Sequence, residues 1–537
     1  MFPAASCAAA VLITVSVARA EPTPATENAP PRLELESLTP TYGYRSTLPS
    51  TELVSGELDV PLLAMTSAQL AKEGVPADPT KPSTTAPAAA VPVDLSKIPI
   101  DYNDPDPTRG ITNHLRAAAG TFAINWMIWQ FDWLSAQREI FFVTHETIVR
   151  NFKTGFVYDD NSFKTNFFGH PFHGSMYMGA ARGAGLSYWE SLPYPWFGSF
   201  MWEFTGERHL PSPNDWIATS WGGTVIGEAL FRLANEVFDD SVSGTSRLWS
   251  EVGGTAISPM YGLQRLTSGR STGDGPPPKQ ERRLDADFLV GFNRVRVKAR
   301  GEEEKSDLGV LLAFDAEYGD LLPKAGKNHI DPFEFFDFFA AFQLFQGDFG
   351  GSQLFIEAPM YGWNSYLSGE GSAYPDNNVF AVTQFFDFQG SSVVQFGGAG
   401  LGIGDYLVWR LGHDLRYRFS VNLQAAFLSG ATSPFTSATG RTYNFAVGPT
   451  ADFVSRLDSK TFGELGIRGR QYATTVIDGE DGNEFTGYVR PWYKLPEFHH
   501  FSLGAAATLV NRRGEYDEFG TVRGYSFTTE LFAVLEL

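Results

Sequence analysis

Residues 283–537 alternate between apolar and polar side chains with a period of two. The alternation is clearest over 415–427, and the final segment, 525–535, places its apolar residues mainly on one face. Strands of this kind, separated by turns rich in Gly, Asp and Asn, present one face to acyl chains and the other to water. We therefore predict that residues 283–537 form an antiparallel transmembrane β-barrel of the outer-membrane type, with roughly 10–12 strands.

Residues 101–245 follow a helical period instead. The pattern predicts a long helix or a broken pair of helices over 114–152, followed by helices over 169–189 and 195–204. Ser-Pro-Asn-Asp at 212–215 is a helix start signal, and apolar residues then recur every four positions. These elements predict a small helical domain before the barrel, so the predicted fold class is α+β.

Three other segments lack such patterns. Residues 1–20 resemble a secretory signal peptide, because an apolar run precedes the small-residue cleavage site Ala18-Arg19-Ala20. Residues 21–100 are rich in Pro, Ala and Thr and cannot bury enough apolar surface to offset the entropy of ordering, so we predict a disordered periplasmic linker. Residues 246–282 show no clear period and are predicted to form a second linker. No apolar run after the leader has the length of a standard transmembrane helix.

Composition supports an envelope barrel. The 537 residues include 14% aromatic residues and 54 glycines but only 19% charged residues, which is typical of a barrel with aromatic girdles. The formal net charge of -20 argues against nucleic-acid binding, because phosphate groups would be repelled. The single cysteine, Cys7, lies in the predicted leader, so the mature chain offers no disulfide and no cysteine-ligated zinc or iron–sulfur site.

The helical region contains an unusual group of motifs. Residues 166–174 read Asn-Phe-Phe-Gly-His-Pro-Phe-His-Gly, residues 202–207 read Trp-Glu-Phe-Thr-Gly-Glu, and residues 213–216 read Pro-Asn-Asp-Trp. With these motifs the chain resembles a family of uncharacterised bacterial envelope proteins, the domain of unknown function 3943, over about residues 100–245. The His-Pro-x-His-Gly element is the most specific part of this resemblance. The resemblance implies an envelope location and carries no activity with it.

Imidazole and carboxylate side chains in these motifs form a candidate site. His170 and His173 are three residues apart and Glu203 and Glu207 are four apart, so each pair would share a helix face. Together they are candidate ligands for a divalent metal ion such as zinc, manganese or iron. The alternatives are metal-free acid–base catalysis and a buried polar network that fixes helix packing. Asp215 also fits a helix first-turn carboxylate. The candidate catalytic residues are His170, His173, Glu203, Glu207, Asp215 and Glu228.

Arginines alternate mostly with apolar residues along several predicted strands, and we expect them to point into the barrel lumen. A basic lumen would favour anions, or would receive the acidic helical domain as a plug or lid. The alternative is a set of lumen ion pairs, with partners such as Glu464, that only hold the barrel round. The predicted stripe consists of Arg294, Arg296, Arg416, Arg418, Arg468 and Arg470.

These observations favour an outer-membrane protein whose N-terminal part lies in the periplasm. Its activity is predicted to be that of a pore, a plug-gated channel or an envelope structural component. The alternative is an envelope enzyme, a lipid or glycan hydrolase, that uses the His and Glu cluster with or without a metal. The expected partners are outer-membrane lipid and, through the N-terminal linker, peptidoglycan or envelope proteins.

Overall fold

The computed structural model describes residues 109–134, 142–272, 284–299, 305–321, 328–345, 351–366, 375–391, 394–432 and 441–537. The predicted signal peptide and the predicted periplasmic linker lie outside these residues. Among the described helices, none combines the length and the hydropathy that crossing a bilayer requires.

The helical region precedes the barrel, as predicted, and its predicted broken pair corresponds to the first two helices. Short π-helical turns, Thr165–Gly169 and Ala218–Gly222, interrupt the later helices. The described helices are α1 Ile111–Leu134, α2 His145–Thr154, α3 His170–Gly183, α4 Tyr188–Ser191, α5 Pro193–Thr205, α6 Pro213–Ile217, α7 Gly223–Val237, α8 Gly244–Ile257 and α9 Pro259–Thr267.

The prediction of a linker over 246–282 is wrong for its first part, where α8 and α9 lie. The apolar residues of α8 gave no core-facing period because Leu248, Trp249 and Val252 are exposed. Ion pairs help to hold this part of the chain instead, since Arg265 binds Glu251 of α8 at 2.6 Å. The helical region therefore extends to Thr267.

The C-terminal half is a closed antiparallel barrel of twelve strands, which confirms the predicted fold class. Pairing of β13 with β1 and of β5 with β6 closes the ring. The two-residue β3 lies beside β5. The strands are β1 Leu284–Ala299, β2 Lys305–Tyr318, β3 His329–Ile330, β4 Phe336–Phe345, β5 Gly351–Tyr366, β6 Asn377–Ser391, β7 Gln395–Arg410, β8 Leu415–Thr432, β9 Tyr443–Ser459, β10 Gly463–Asp478, β11 Gly482–Lys494, β12 Phe501–Tyr516 and β13 Gly520–Glu536.

A row of apolar residues crosses seven strands on the outward face of the barrel, each paired in register with the next. All seven are buried in the largest apolar core, together with residues of α3, α7 and the π-helical turns. We call this set the covered row. It consists of Ala286, Ala316, Phe338, Ile356, Phe386, Ala399 and Leu428.

The helices pack directly on this outer wall. The Trp221 indole N–H donates to the Gly400 carbonyl at 3.0 Å, and the Tyr188 hydroxyl donates to Gln384 at 3.0 Å. The ring of Phe163 stacks on Phe388. The opposite face of these strands lines the lumen, so the described helices lie outside the lumen and do not form the plug that the sequence left as one possibility.

Candidate functional site

Three side chains from three helices meet inside the helical region. His170 is the first residue of α3, Glu203 lies in the last turns of α5, and Asp215 lies in α6. One nitrogen or oxygen atom from each lies within 4.8 Å of the others. His170 Nε2 is 3.3 Å from Asp215 Oδ1. We call these three residues the His–carboxylate cluster.

Close packing of two backbones positions the histidine. A Cβ added at Gly223 would lie 2.4 Å from the Gly174 Cα, so α3 and α7 touch where neither residue has a side chain. This contact brings the π-helical turn before α7 against the start of α3. The Thr219 hydroxyl in that turn consequently lies 3.4 Å from His170 Nδ1. One π-helical turn directly precedes His170, and the other follows Asp215 closely in the chain. Such turns are often found at functional sites.

Side-chain amides hold the carboxylates around the cluster. Asn214 donates to Asp159 and to Asp215, each at 2.8 Å. Asn166 donates to Asp159 at 2.7 Å. Asn166 and Asn214 belong to the motifs noted in the sequence, whereas Asp159 precedes them in a polar turn with no recognisable signal. The cluster therefore has a second layer of polar groups that sequence reasoning missed.

Among the described residues, the carboxyl groups of the cluster have only the His170 imidazole as a basic partner. Within the described ranges, no Lys or Arg forms an ion pair with Asp159, Glu203 or Asp215. Burial raises the pKa of Glu203 and of Asp215 well above the usual value, and nearby carboxylates raise both further. Glu203 Oε2 accepts from the Ser212 amide at 2.9 Å, while its buried Oε1 has no hydrogen bond. Two buried carboxyl groups and one imidazole thus share this space, with one carboxyl oxygen free of hydrogen bonds.

The structure does not bring His173 and Glu207 into this group of ligand atoms. His173 Nε2 lies 2.7 Å from the Tyr177 hydroxyl, and its ring meets Trp202 edge-on. Burial lowers the pKa of His173 to about 3, so it is neutral. Helix α5 ends at Thr205, so the helical spacing expected between Glu203 and Glu207 is lost. The predicted cluster therefore keeps two of its four residues and gains Asp215.

Charged side chains also cross the barrel lumen. Arg470 of β10 binds Glu357 of β5 at 2.6 Å and Asp452 of β9 at 3.3 Å. Lys494 of β11 pairs with three carboxylates, those of Asp287, Asp315 and Glu464. Such contacts between strands that are not neighbours are possible only through the lumen, which identifies the inward face.

The lumen arginines are paired rather than free to attract anions. Arg416 and Arg418 contact Glu317, and Arg468 lies 3.8 Å from Asp337. Four arginines of the predicted stripe thus form ion pairs inside the barrel, which was the alternative to a basic lumen that attracts anions. They are Arg416, Arg418, Arg468 and Arg470. Glu464 contributes as well, but to Arg456 and Lys494.

The lumen prediction is wrong for Arg294 and Arg296. Both are exposed and share the outward face of β1 with Phe292, whereas the buried Asn293 faces inward. They lie near the end of the strand, where long basic side chains reach water or headgroups beyond the hydrocarbon layer. The assumption that polar residues point into the lumen therefore predicted the wrong face for Arg294 and Arg296.

Comparison with known families identifies part of the helical region. Residues 155–260 match the family model described as Domain of unknown function (DUF3943). This match confirms the resemblance that the His-Pro-x-His-Gly element indicated. The DUF3943 segment contains the complete His–carboxylate cluster. No curated protein matches the chain at a significant level.

The barrel is similar to solved outer-membrane channels at low sequence identity. The NanC porin is 8% identical, with alignment over 47% of this chain and 100% of the porin, at a TM-score of 0.24. An outer-membrane channel from Pseudomonas putida F1 is 11% identical over 48% of this chain and 97% of its own, at 0.26. OccK2 from Pseudomonas aeruginosa, solved with glucuronate, is 10% identical over 47% and 98%, at 0.18. The strand pairing described above, and not these similarities, establishes that the barrel is closed.

Glu228, a predicted catalytic candidate, instead joins the DUF3943 segment to the barrel. Its carboxylate lies 2.7 Å from Arg182 Nε and 2.9 Å from Arg232 Nε, and all three side chains are fully buried. Arg182 lies over the Phe231 ring, and Arg232 donates to the Pro332 carbonyl in the loop before β4. In this Glu228 triad, the carboxylate therefore has two guanidinium partners, whereas the carboxyl groups of the His–carboxylate cluster have no arginine or lysine partner among the described residues.

Proposed function

We propose that this outer-membrane barrel is a channel for small hydrophilic solutes, closed in the present conformation by ion pairs across its lumen. The observation that carries the proposal is the charged and polar inward face, centred on Arg470, Glu357 and Asp452. The charged and polar part of the lumen suits a water-filled passage beside the apolar cluster that also faces inward, which includes Leu289, Phe339 and Trp492. Rearrangement of a few ion pairs would open this passage. Three arginines share Glu317, but Lys494 faces three carboxylates and Arg470 faces two, so we expect a modest preference for cations.

Single-channel recording tests this function. We expect the full-length protein, reconstituted in planar bilayers, to show low conductance with brief openings and a reversal potential that favours cations in a salt gradient. Raising the ionic strength should increase the open fraction, because salt screens the ion pairs that are reached by water. Absence of current at all salt concentrations would assign the barrel a purely structural role.

We further propose that the helical region lies beside the barrel at the membrane, with residues 21–100 in the periplasm and available to peptidoglycan or envelope proteins. The covered row occupies outward positions that acyl chains would otherwise meet. The outer face of α1 is also apolar, with Phe122, Trp126 and Phe131 exposed. A helix that is apolar on both faces suits lipid better than water.

Site-directed spin labelling tests the lipid contact. In a Cys7→Ser background, a nitroxide at Trp126→Cys is expected to be more accessible to oxygen than to a water-soluble nickel complex. Leu503→Cys on the outward face of β12 is the lipid-facing control, and Asp517→Cys in the β12–β13 turn is the aqueous control. A Trp126 label that behaves like the Asp517 label would contradict the proposed placement.

The alternative of an envelope hydrolase has weaker support. Glu203 and Asp215 are at most 1% exposed, and only His170 keeps limited access to solvent. A lipid or glycan substrate could not reach both carboxylates without rearrangement of the helices. The enclosed geometry suits an ion better than a substrate.

A further inference from the structure

We propose that His170, Glu203 and Asp215 bind one divalent transition-metal ion of the zinc class, which joins α3, α5 and α6. One imidazole nitrogen and two carboxylate oxygens are a common ligand set for such ions. This inference is independent of the channel activity, since the cluster lies outside the lumen.

The geometry is close to that of a bound ion. Ligands about 2.1 Å from a tetrahedral zinc ion lie roughly 3.4 Å apart. The pair His170 Nε2 and Asp215 Oδ1 already lies 3.3 Å apart, and no two ligand atoms are more than 4.8 Å apart. A small side-chain rotation of Glu203, whose Oε1 has no hydrogen bond, would complete the set.

Hydrogen bonds from neighbouring groups orient the proposed metal ligands. In the tautomer that carries the proton on Nδ1, His170 donates to the Thr219 hydroxyl and its Nε2 presents a lone pair to Asp215. Two groups that both offer lone pairs at this distance need a proton or a cation between them. Asn214 donates to Asp215 Oδ1 and so holds the carboxyl group in place. Such outer contacts are what orient metal ligands in known sites.

The contrast with the Glu228 triad supports a cation site in the cluster. There, one buried carboxylate has two guanidinium partners, whereas two buried carboxylates and Asp159 share only a histidine in the cluster. Buried charges are retained in proteins when they are paired or coordinate metals. A divalent ion supplies the charge that the described side chains do not.

Zinc binding by the full-length, detergent-solubilised protein after chelator treatment tests the proposal. We expect about one zinc ion per chain by elemental analysis, and a higher melting temperature with zinc chloride than with magnesium chloride. Asp215→Asn and Glu203→Gln should lose both effects while keeping tryptophan emission and heat-modifiable gel mobility. Thr219→Val should weaken zinc binding roughly 10- to 100-fold. His209→Ala, which removes an exposed histidine, is the matched control and should bind zinc as the wild type does.

Stability without metal separates an ion site from a packing network. In the metal-free protein, Asp215→Asn should leave the melting temperature close to that of the wild type, because a metal ligand stabilises the helices only when the ion is bound. If the wild type binds no zinc, the proposal is overturned, and a lower melting temperature of Asp215→Asn would then identify the cluster as a hydrogen-bonded network. Equal zinc binding by the wild type and Asp215→Asn would overturn it as well.

Discussion

Replacing Glu228 with glutamine is expected to lower the free energy of unfolding of the helical region by about 3–5 kcal/mol. The substitution keeps the shape of the side chain but removes the carboxylate charge that pairs with the buried guanidinium groups of Arg182 and Arg232. Chemical denaturation in detergent, followed by tryptophan fluorescence, measures this loss. Because Arg232 also reaches the Pro332 carbonyl, we expect the helices to detach from the barrel wall before the strands unfold.

The matched control is Glu515→Gln on β12. Glu515 pairs with Arg513 at the surface, where both side chains are largely exposed, so the loss should stay within about 1 kcal/mol. A Glu228→Gln protein as stable as this control would show that the buried triad contributes little, and that the apolar contacts of the covered row hold the helices by themselves.

Replacing Arg470 with serine is expected to increase the conductance of the barrel several-fold and to strengthen its cation preference. The guanidinium links β10 to Glu357 and Asp452 and also lies over the rings of Phe355 and Phe385. Its removal opens space in the lumen and leaves two carboxylates without their counter-charge. Planar-bilayer recording in a salt gradient measures both the conductance and the selectivity. Because Glu357 and Asp452 would be left without this counter-charge, we also expect the substitution to lower the free energy of unfolding of the barrel. The loss should be about 3–5 kcal/mol if both carboxylates remain buried.

Arg294→Ser provides the control for position. Arg294 belongs to the same predicted stripe but points outward, so its replacement should leave the conductance unchanged. If Arg294→Ser changed the conductance as much as Arg470→Ser, the assignment of inward and outward faces on β1 would be wrong. If neither variant conducted ions, the ion pairs of Arg470 would serve only to stabilise a barrel that does not transport solutes.

Period-two alternation predicted the strands well because it reflects the two environments of a barrel wall. On β8 the polar residues Asn422 and Gln424 do face inward, and the apolar Leu423 faces outward. The alternation could not show which outward residues meet lipid. Ile356 and Phe386 look like lipid-facing residues in the sequence, yet helices cover them. Acyl chains and a packed helix are both apolar, so the pattern is the same for either neighbour.

Helical spacing was a weaker guide to the site. It related His170 to His173 and Glu203 to Glu207 within single segments, where only one residue of each pair joins the cluster. Helix α5 ends before Gly206, so Glu207 does not continue the helical face of Glu203. His173 forms a hydrogen bond with Tyr177 and does not join the cluster. Spacing along a helix cannot reveal which neighbouring helix a side chain meets.

The sequence by itself determined the order of a helical region and a barrel, the positions of most helices and strands, and the presence of an imidazole and carboxylate motif. These features follow from local periodicity and from short-range helix signals, which each segment carries alone. Tertiary structure decided that the helices lie outside the lumen and that Asp215 completes the cluster with His170. It also decided that Glu228 is compensated by two arginines. Such contacts join residues far apart in the chain, and they depend on backbones that meet where Gly174 and Gly223 leave room.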